Sequence, residues 1–403
     1  MTPEDLGFIS GRLDRIGAVG RRYVDAGKLP NAIVQVAKGG DIVYTDVYGV
    51  SDVETGAPVA EDSIFRFFSM TKPITSVVLM QLYEEGVFLL EDPVHRWLPA
   101  MAKQSVFTGG SDQAPQTRPA TRRMSIRDVL THTSGLTYGF MRQHPVDAMY
   151  REQRLGDFVK PDYNLDGFIE RLANMPLLFD PGTSWNYSVS TDVCGALIEK
   201  MTGRKLGEAF AERVFEPLGM VDTGFSVRPG EEARFTTNYV PSPDGGMIGF
   251  DPAATSAYLQ PPEFESGGGG LVSTLADYQR FCDMVLNAGE LDGHRIIGRK
   301  TLDYMGKNHL PDGKLLNELG QSLFAEVAME GMGFGLGFST VEDAAANGAV
   351  CSVGELAWGG AASTAFWVDP EEDLTVIFLT QLLPSSTYPL RRELRSAVYA
   401  ALA

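Results

Sequence analysis

A serine and a lysine stand three positions apart in Ser69-Met70-Thr71-Lys72, at the head of an apolar run. A helix turns once in about 3.6 residues, so hydroxyl and ammonium share one face. Free backbone N–H groups and the macrodipole favour negative charge at a helix N-terminus. A serine so placed can act as a nucleophile, because the nearby cation helps its proton leave. Ser69 is the only serine in the chain with a lysine at that distance. Spacing alone is weak evidence, since a chain of this length carries about one such match by chance. Other chemistries are poorly supplied. The five histidines (His95, His132, His144, His294, His309) show no metal-ligand spacing and no His-Glu-x-x-His, so no metal site is expected. No serine has the glycine flanks of a Gly-x-Ser-x-Gly elbow either.

The elements that position Ser69 are legible as periodic runs. Ile74 to Leu82, with Val77, Val78 and Leu82 at helical spacing, predicts a buried helix ending near Gly86. Pro73 is tolerable only in its first turn, which starts the helix at the serine. Upstream, Pro3 to Ala26 reads as a helix with Leu6, Ile9, Leu13, Ile16 and Val19 on one face. Strand-like runs follow at Ala32 to Ala37 and Ile42 to Tyr48, joined as a hairpin at Gly39-Gly40-Asp41. At the far end, Ala361 to Val368 and Leu374 to Gln381 form a second hairpin, and Pro389 to Leu402 a terminal helix. Both termini thus supply a helix and antiparallel strands to one mixed α/β domain, residues 1–93 and 261–403. Residues 94–260 read as a mostly helical insert, with patterns at Ile126 to Leu130, Leu165 to Ala173 and Thr191 to Thr202. Ser125 with Asp128 resembles an N-cap and Gly203 a C-cap. Val106 to Ala120 reads as a long polar loop of the kind that borders clefts. The tetraglycine Gly267 to Gly270 precedes a strand and a helix from Leu275 to Leu286.

The chain has 403 residues, 44% of them hydrophobic, and a formal charge of −18. That length suits one large or two closely packed domains. No apolar stretch reaches the roughly 18 residues of a membrane span. The acidic balance makes nucleic acid and anionic membranes poor partners. Met1-Thr2-Pro3-Glu4-Asp5-Leu6 has neither a basic nor an apolar leader region. Cys194, Cys282 and Cys351 are odd in number and far apart, so a disulfide framework is not expected. These features lead us to expect a cytoplasmic location.

Four segments, in order, resemble the serine β-lactamase and penicillin-binding-protein superfamily, and within it the family VIII carboxylesterases. They are Ser69-Met70-Thr71-Lys72; Leu130-Thr131-His132-Thr133-Ser134-Gly135-Leu136; Pro181-Gly182-Thr183-x-Trp185-x-Tyr187-Ser188; and Trp358-Gly359-Gly360. The run Gly267 to Thr274 is similar too. The resemblance implies an α/β, class C β-lactamase-like fold: an antiparallel sheet flanked by helices from both chain ends, a mostly helical insert, and the active site between them. It implies Ser69 as nucleophile, Lys72 as its electrostatic partner and Tyr187 as general base. A phenol normally ionises near pH 10, and an adjacent ammonium favours the phenolate, which makes such a base reasonable. Ser69 and Ala361 N–H groups would form the oxyanion hole, with the strand at Trp358, Gly359 and Gly360 along the substrate. Two glycines on that strand mark a close backbone approach. Tyr138 is a further candidate to touch substrate. The resemblance sets the His132 loop behind the site, in a bracing role, and Cys194 is read as a small core residue on the helix that carries Tyr187.

Two departures set the substrate class. β-Lactamases and transpeptidases carry Lys-Thr-Gly where this chain has Trp358-Gly359-Gly360, and tryptophan offers no charge to a β-lactam carboxylate. Val189 stands where β-lactamases have an asparagine for the substrate amide. Both favour small esters over β-lactams. The expectation is a cofactor-independent serine carboxylesterase acting on small-molecule esters through an acyl-enzyme. The alternatives are a β-lactamase or D-amino-acid peptidase, an acyltransferase, and a non-catalytic scaffold on the same fold.

Overall fold

The structure, a computed structural model, describes residues 1–158, 161–320 and 329–403. Its organising element is an eight-stranded antiparallel sheet assembled from both ends of the chain. The N-terminal strands are β1 (Asn31–Lys38), β2 (Asp41–Asp52) and β3 (Ala57–Pro58). The C-terminal strands are β4 (Met332–Phe334), β5 (Ser339–Val341), β6 (Leu356–Gly359), β7 (Ala365–Asp369) and β8 (Leu374–Leu379). Their order is β4-β5-β6-β7-β8-β1-β2-β3, so the two termini meet where β1 pairs with β8, Val36 opposite Val376. Alternation along these strands sends side chains to opposite faces. Val34, Val36, Trp367, Val376 and Phe378 pack beneath helices α1 (Ser10–Asp25) and α7 (Leu390–Tyr399), against Ile16, Val19, Leu394 and Val398. Ile33, Phe366, Ile377 and Leu379 point the other way, into the main core.

That core runs without a break from the sheet into the rest of the molecule. It holds α2 (Thr71–Glu84), α3 (Ile126–Leu130), α4 (Leu165–Leu172), α5 (Ser190–Thr202) and α6 (Leu275–Leu286). Helix α2 is buried on every side from Thr71 to Leu82, and its polar members Lys72, Thr75 and Gln81 are hydrogen-bonded to neighbouring segments. Helix α3 begins at the expected Ser125–Asp128 capping box, and α5 ends at Gly203 in the left-handed region, φ 69°. Among the described residues no helix is long and apolar enough to cross a membrane. All three cysteines are unpaired.

Several boundaries differ from the sequence reading. The first helix starts at Ser10, because Gly7 turns at φ 79° and Phe8 bridges Leu402 near the C-terminus. The strand expected from Ala361 begins at Ala365; Gly360 N–H donates to Thr364 O across a turn with Ser363 at φ 68°. Val106 to Ala120 is no open loop but the hairpin Ser105–Gly110 with Pro115–Pro119, Val106 opposite Arg118. It lines a separate surface pocket with Met101 and Arg123, away from the cleft at Ser69.

Candidate active site

The strand pair Phe65–Arg66 with Val272–Ser273 delivers the chain to Ser69. Phe67 N–H donates to Leu271 O at 3.0 Å, and Phe68 then takes φ 44°. A left-handed backbone costs an ordinary L-residue roughly 1–2 kcal/mol. Phe68 persists there because its buried ring packs with Ala362, Leu383 and Phe158. Ser69 falls in one 3₁₀ turn, Phe68–Met70, and α2 follows from Thr71. Lys72 is thereby set beneath the serine, only 1% exposed.

Lys72 Nζ donates to Ser69 Oγ at 3.1 Å, to Tyr138 Oη at 3.1 Å and to Gly268 O at 2.6 Å. Tyr187 Oη lies 2.5 Å from Ser69 Oγ, and the ammonium stands 4.6 Å from the Tyr187 ring centre. Two side chains, Lys72 and Tyr187, therefore converge on the Ser69 hydroxyl, and Tyr138 is joined to it through Lys72. Tyr187 is not on α5 with Cys194; it sits in the loop before that helix, which begins at Ser190. This loop is stitched to the 131–138 segment. Asn186 N–H donates to His132 O at 3.0 Å, its side chain to Leu136 O at 2.9 Å, and Val189 N–H to Thr137 O at 3.3 Å. His132 Nδ1 pairs with Ser188 Oγ at 3.1 Å, its ring against Trp185, Tyr187 and Phe334. Burial and, second, the Lys72 charge hold its pKa well below the ordinary value, so the ring is neutral.

Tyr138 lines the cleft and also bonds Lys72. Burial raises its pKa well above the usual phenol value, with Tyr187 and Asp192 adding to the effect, so Tyr138 stays a neutral phenol. Trp358, Gly359, Gly360 and Ala361 line the same cleft, which opens to solvent. Trp358 packs on Tyr187 at 5.5 Å between ring centres and edge-on to Phe334 at 5.3 Å. Its glycines are explained by close approach. A Cβ on Gly359 would strike the Arg391 guanidinium, and one on Gly360 would strike Thr364 Oγ1 and the Phe67 carbonyl. Val189 does not take the place expected for it: it is fully buried and outside the cleft lining, because its backbone is drawn onto Thr137.

Three contributors were given no role in the sequence reading. Gly268 supplies a carbonyl to Lys72. Asp192, on the first turn of α5, holds Gly268 N–H at 3.0 Å and Ser266 Oγ at 2.6 Å. Arg391 lies on the cleft wall with Nη2 donating to Thr364 O at 3.0 Å, although the Arg391-Arg392 pair reads only as a short charge cluster. The tetraglycine held the one available signal. A Cβ on Gly268 would stand 2.7 Å from Asp192 Oδ2, which shows how closely the loop is pressed against its neighbours. Among the described residues, no group of three His, Cys, Asp or Glu side chains stands ready to hold a metal ion.

Residues 18–400 match the family model described as Beta-lactamase. The chain belongs to the β-lactamase family. It is 35% identical over 367 residues to Protein Rv1367c of Mycobacterium tuberculosis, covering 90% of this chain and 88% of that one. Esterase EstB of Burkholderia gladioli is 32% identical over 416 residues, covering 98% and 96%. Among solved structures, EstCE1, described as a hydrolase with promiscuous acyltransferase activity, superposes with TM-score 0.78 at 25% identity, covering 97% of this chain and 99% of that one. As a member of the β-lactamase family the protein is a serine hydrolase, and its sheet built from both termini, with helices around it, is that family's fold.

Proposed function

We propose that this protein is a serine carboxylesterase that hydrolyses small, uncharged esters through an acyl-enzyme on Ser69. The observation that carries this reading is the convergence on Ser69 Oγ of Tyr187 Oη at 2.5 Å and Lys72 Nζ at 3.1 Å. With Tyr187 as phenolate, Ser69 Oγ attacks the ester carbonyl carbon while its proton passes to the Tyr187 oxygen. The carbonyl electron pair moves onto oxygen, where the N–H groups of Ser69 and Ala361 receive it. Collapse breaks the ester C–O bond, and the departing oxygen takes the proton from Tyr187 to leave as alcohol. Water then gives a proton to Tyr187 and attacks the acyl carbon; Ser69 recovers the proton as the acid departs. Lys72 remains an ammonium throughout and offsets charge on Tyr187. Tyr138, pushed up by burial, is the poorer candidate for base.

The cleft wall supports an apolar substrate, in a groove between the α/β body (residues 1–93 and 261–403) and the insert (94–260). Tyr138 and Phe140 stack at 4.5 Å, and Phe140 and Phe158 at 5.1 Å, in a continuous aromatic face above Ser69. The relative named an esterase points the same way. An acyltransferase is the second reading, favoured by the likeness to EstCE1 with its promiscuous acyl transfer and by a cleft that opens to solvent, from which an alcohol acceptor would enter. One experiment separates these. Fluorophosphonate should label Ser69, and Ser69→Ala should abolish both labelling and p-nitrophenyl ester turnover. Persistent turnover in Ser69→Ala overturns the assignment. Running wild type with a primary alcohol as competing acceptor then reads out hydrolysis against transfer, and a chromogenic cephalosporin turned over faster than the ester would make the protein a β-lactamase.

A further inference from the structure

Lys72 is sealed from solvent, and its three hydrogen-bond acceptors are neutral: a serine, a tyrosine and a peptide carbonyl. A buried ammonium is costly unless an anion shares its low-dielectric surroundings. Besides the Tyr187 phenolate of the proposed mechanism, a second anion lies across Gly268. Asp192 is 2% exposed, and its Oδ1 accepts from Gly268 N–H at 3.0 Å, while Gly268 O accepts from Lys72 at 2.6 Å. Ser266 Oγ donates to the same carboxylate oxygen at 2.6 Å. The first turn of α5 adds a helix N-terminus that favours negative charge. The glycine is required, since a Cβ there would collide with the carboxylate.

Resting on the esterase reading above, we propose that Asp192 is a positioning residue that supplies the buried counter-charge to Lys72 and fixes the ammonium under Ser69 through the Gly268 backbone. It acts through Lys72, on a different element from Lys72, Tyr138 and Tyr187. The groups that face this pair are Tyr138 and Tyr187 from the cleft wall, His132 from the bracing loop, Ser266 and Gly268 from the glycine loop, and Tyr163 and Cys194 beside Asp192. Burial raises the Asp192 pKa above the ordinary carboxylate value, with Ser266, Lys72 and Gly268 opposing it. Protonating Asp192 removes the counter-charge, so activity should fall on the acid side with an ionisation above the usual carboxylate range.

Asp192→Asn tests this cleanly, because an amide oxygen still accepts from Gly268 and Ser266 and only the charge is lost. The expected result is a kcat at least about tenfold down on the pH plateau, KM within about threefold, and an acid limb lacking one ionisation. Ser266→Ala removes a donor to the carboxylate and should move that ionisation to higher pH, a readout that a merely structural role would not shift. A folded Asp192→Asn with kcat within about twofold of wild type and a superimposable acid limb overturns the proposal. If Asp192→Asn does not fold, an unmoved limb in Ser266→Ala overturns it alone. Ser69→Ala is run alongside. If it stays active, the esterase reading falls and this proposal with it; if it is dead and both profiles are unchanged, only the role of Asp192 is refuted.

Discussion

Ser69 Oγ is shared between a phenol and an ammonium, and a second phenol, Tyr138, competes for the same ammonium. Environment separates the two tyrosines. Tyr138 sits where burial favours the neutral form, whereas Tyr187 alone reaches the serine. On the proposed mechanism, Tyr187→Phe removes the general base and should lower kcat by about 10²–10⁴. Tyr138→Phe leaves Lys72 with Ser69 and Gly268 as acceptors and should cost less than about tenfold. Steady-state hydrolysis of p-nitrophenyl acetate by both variants, with near-UV circular dichroism to show intact packing, decides between them. Equal losses in the two would mean that the base has been assigned to the wrong ring.

Elements impose a second set of constraints. The end of β6 is pressed against the segment that carries Ser69, since Gly360 lies on the Phe67 carbonyl. Gly360→Ala should force that strand end away from the 3₁₀ turn, costing about 1–3 kcal/mol and moving Ala361 relative to Ser69, which would disturb the proposed oxyanion hole. A urea midpoint close to wild type would show that the strand end yields freely. Helix α6 carries a different signal. Burial raises the Asp283 carboxyl to about 6, with the Gln279 hydrogen bond opposing. Between the ordinary value of 3.8 and about 6 the folded protein holds a proton that the unfolded chain has released. Stability contributed by this group is therefore lost as pH rises through that window. Asp283→Asn should flatten this part of the stability profile, measured as melting temperature from pH 4 to pH 6.5 on about half-unit steps.

The whole molecule is closed by its two ends. β1 pairs with β8, α1 packs with α7 over one sheet face, and Phe8 bridges Leu402. Removing α7 uncovers Trp367, Val376 and Phe378 along with the α1 contacts. Exposed apolar patches of that kind drive association, so a chain ending at Pro389 should be recovered aggregated or without cooperative melting. A soluble, cooperatively folding truncation with ester turnover would contradict the two-ended sheet as the unit of stability.

Local chemistry carried much of this in the sequence. The Ser125 capping box, the Gly203 helix end and the helix from Leu275 to Leu286 depend on residues within a turn or two of each other, and their reading stands. The Ser-x-x-Lys spacing is as local, and it brings hydroxyl and ammonium to 3.1 Å, although the helix begins at Thr71 and not at the serine. The family was likewise legible, because its motifs are contiguous and in order. What periodicity could not carry was anything decided by a distant neighbour. The first helix loses Pro3 to Ile9 because the opposite terminus claims Phe8. A polar stretch becomes a hairpin because its two halves pair with each other. Val189 is close to Tyr187 in sequence yet is drawn into the core by Thr137. Gly268, Asp192 and Arg391 reach the site only when the glycine loop, α5 and α7 are folded against α2 and β6, for a buried charge and its partner are matched in space, with no spacing along the chain to announce them.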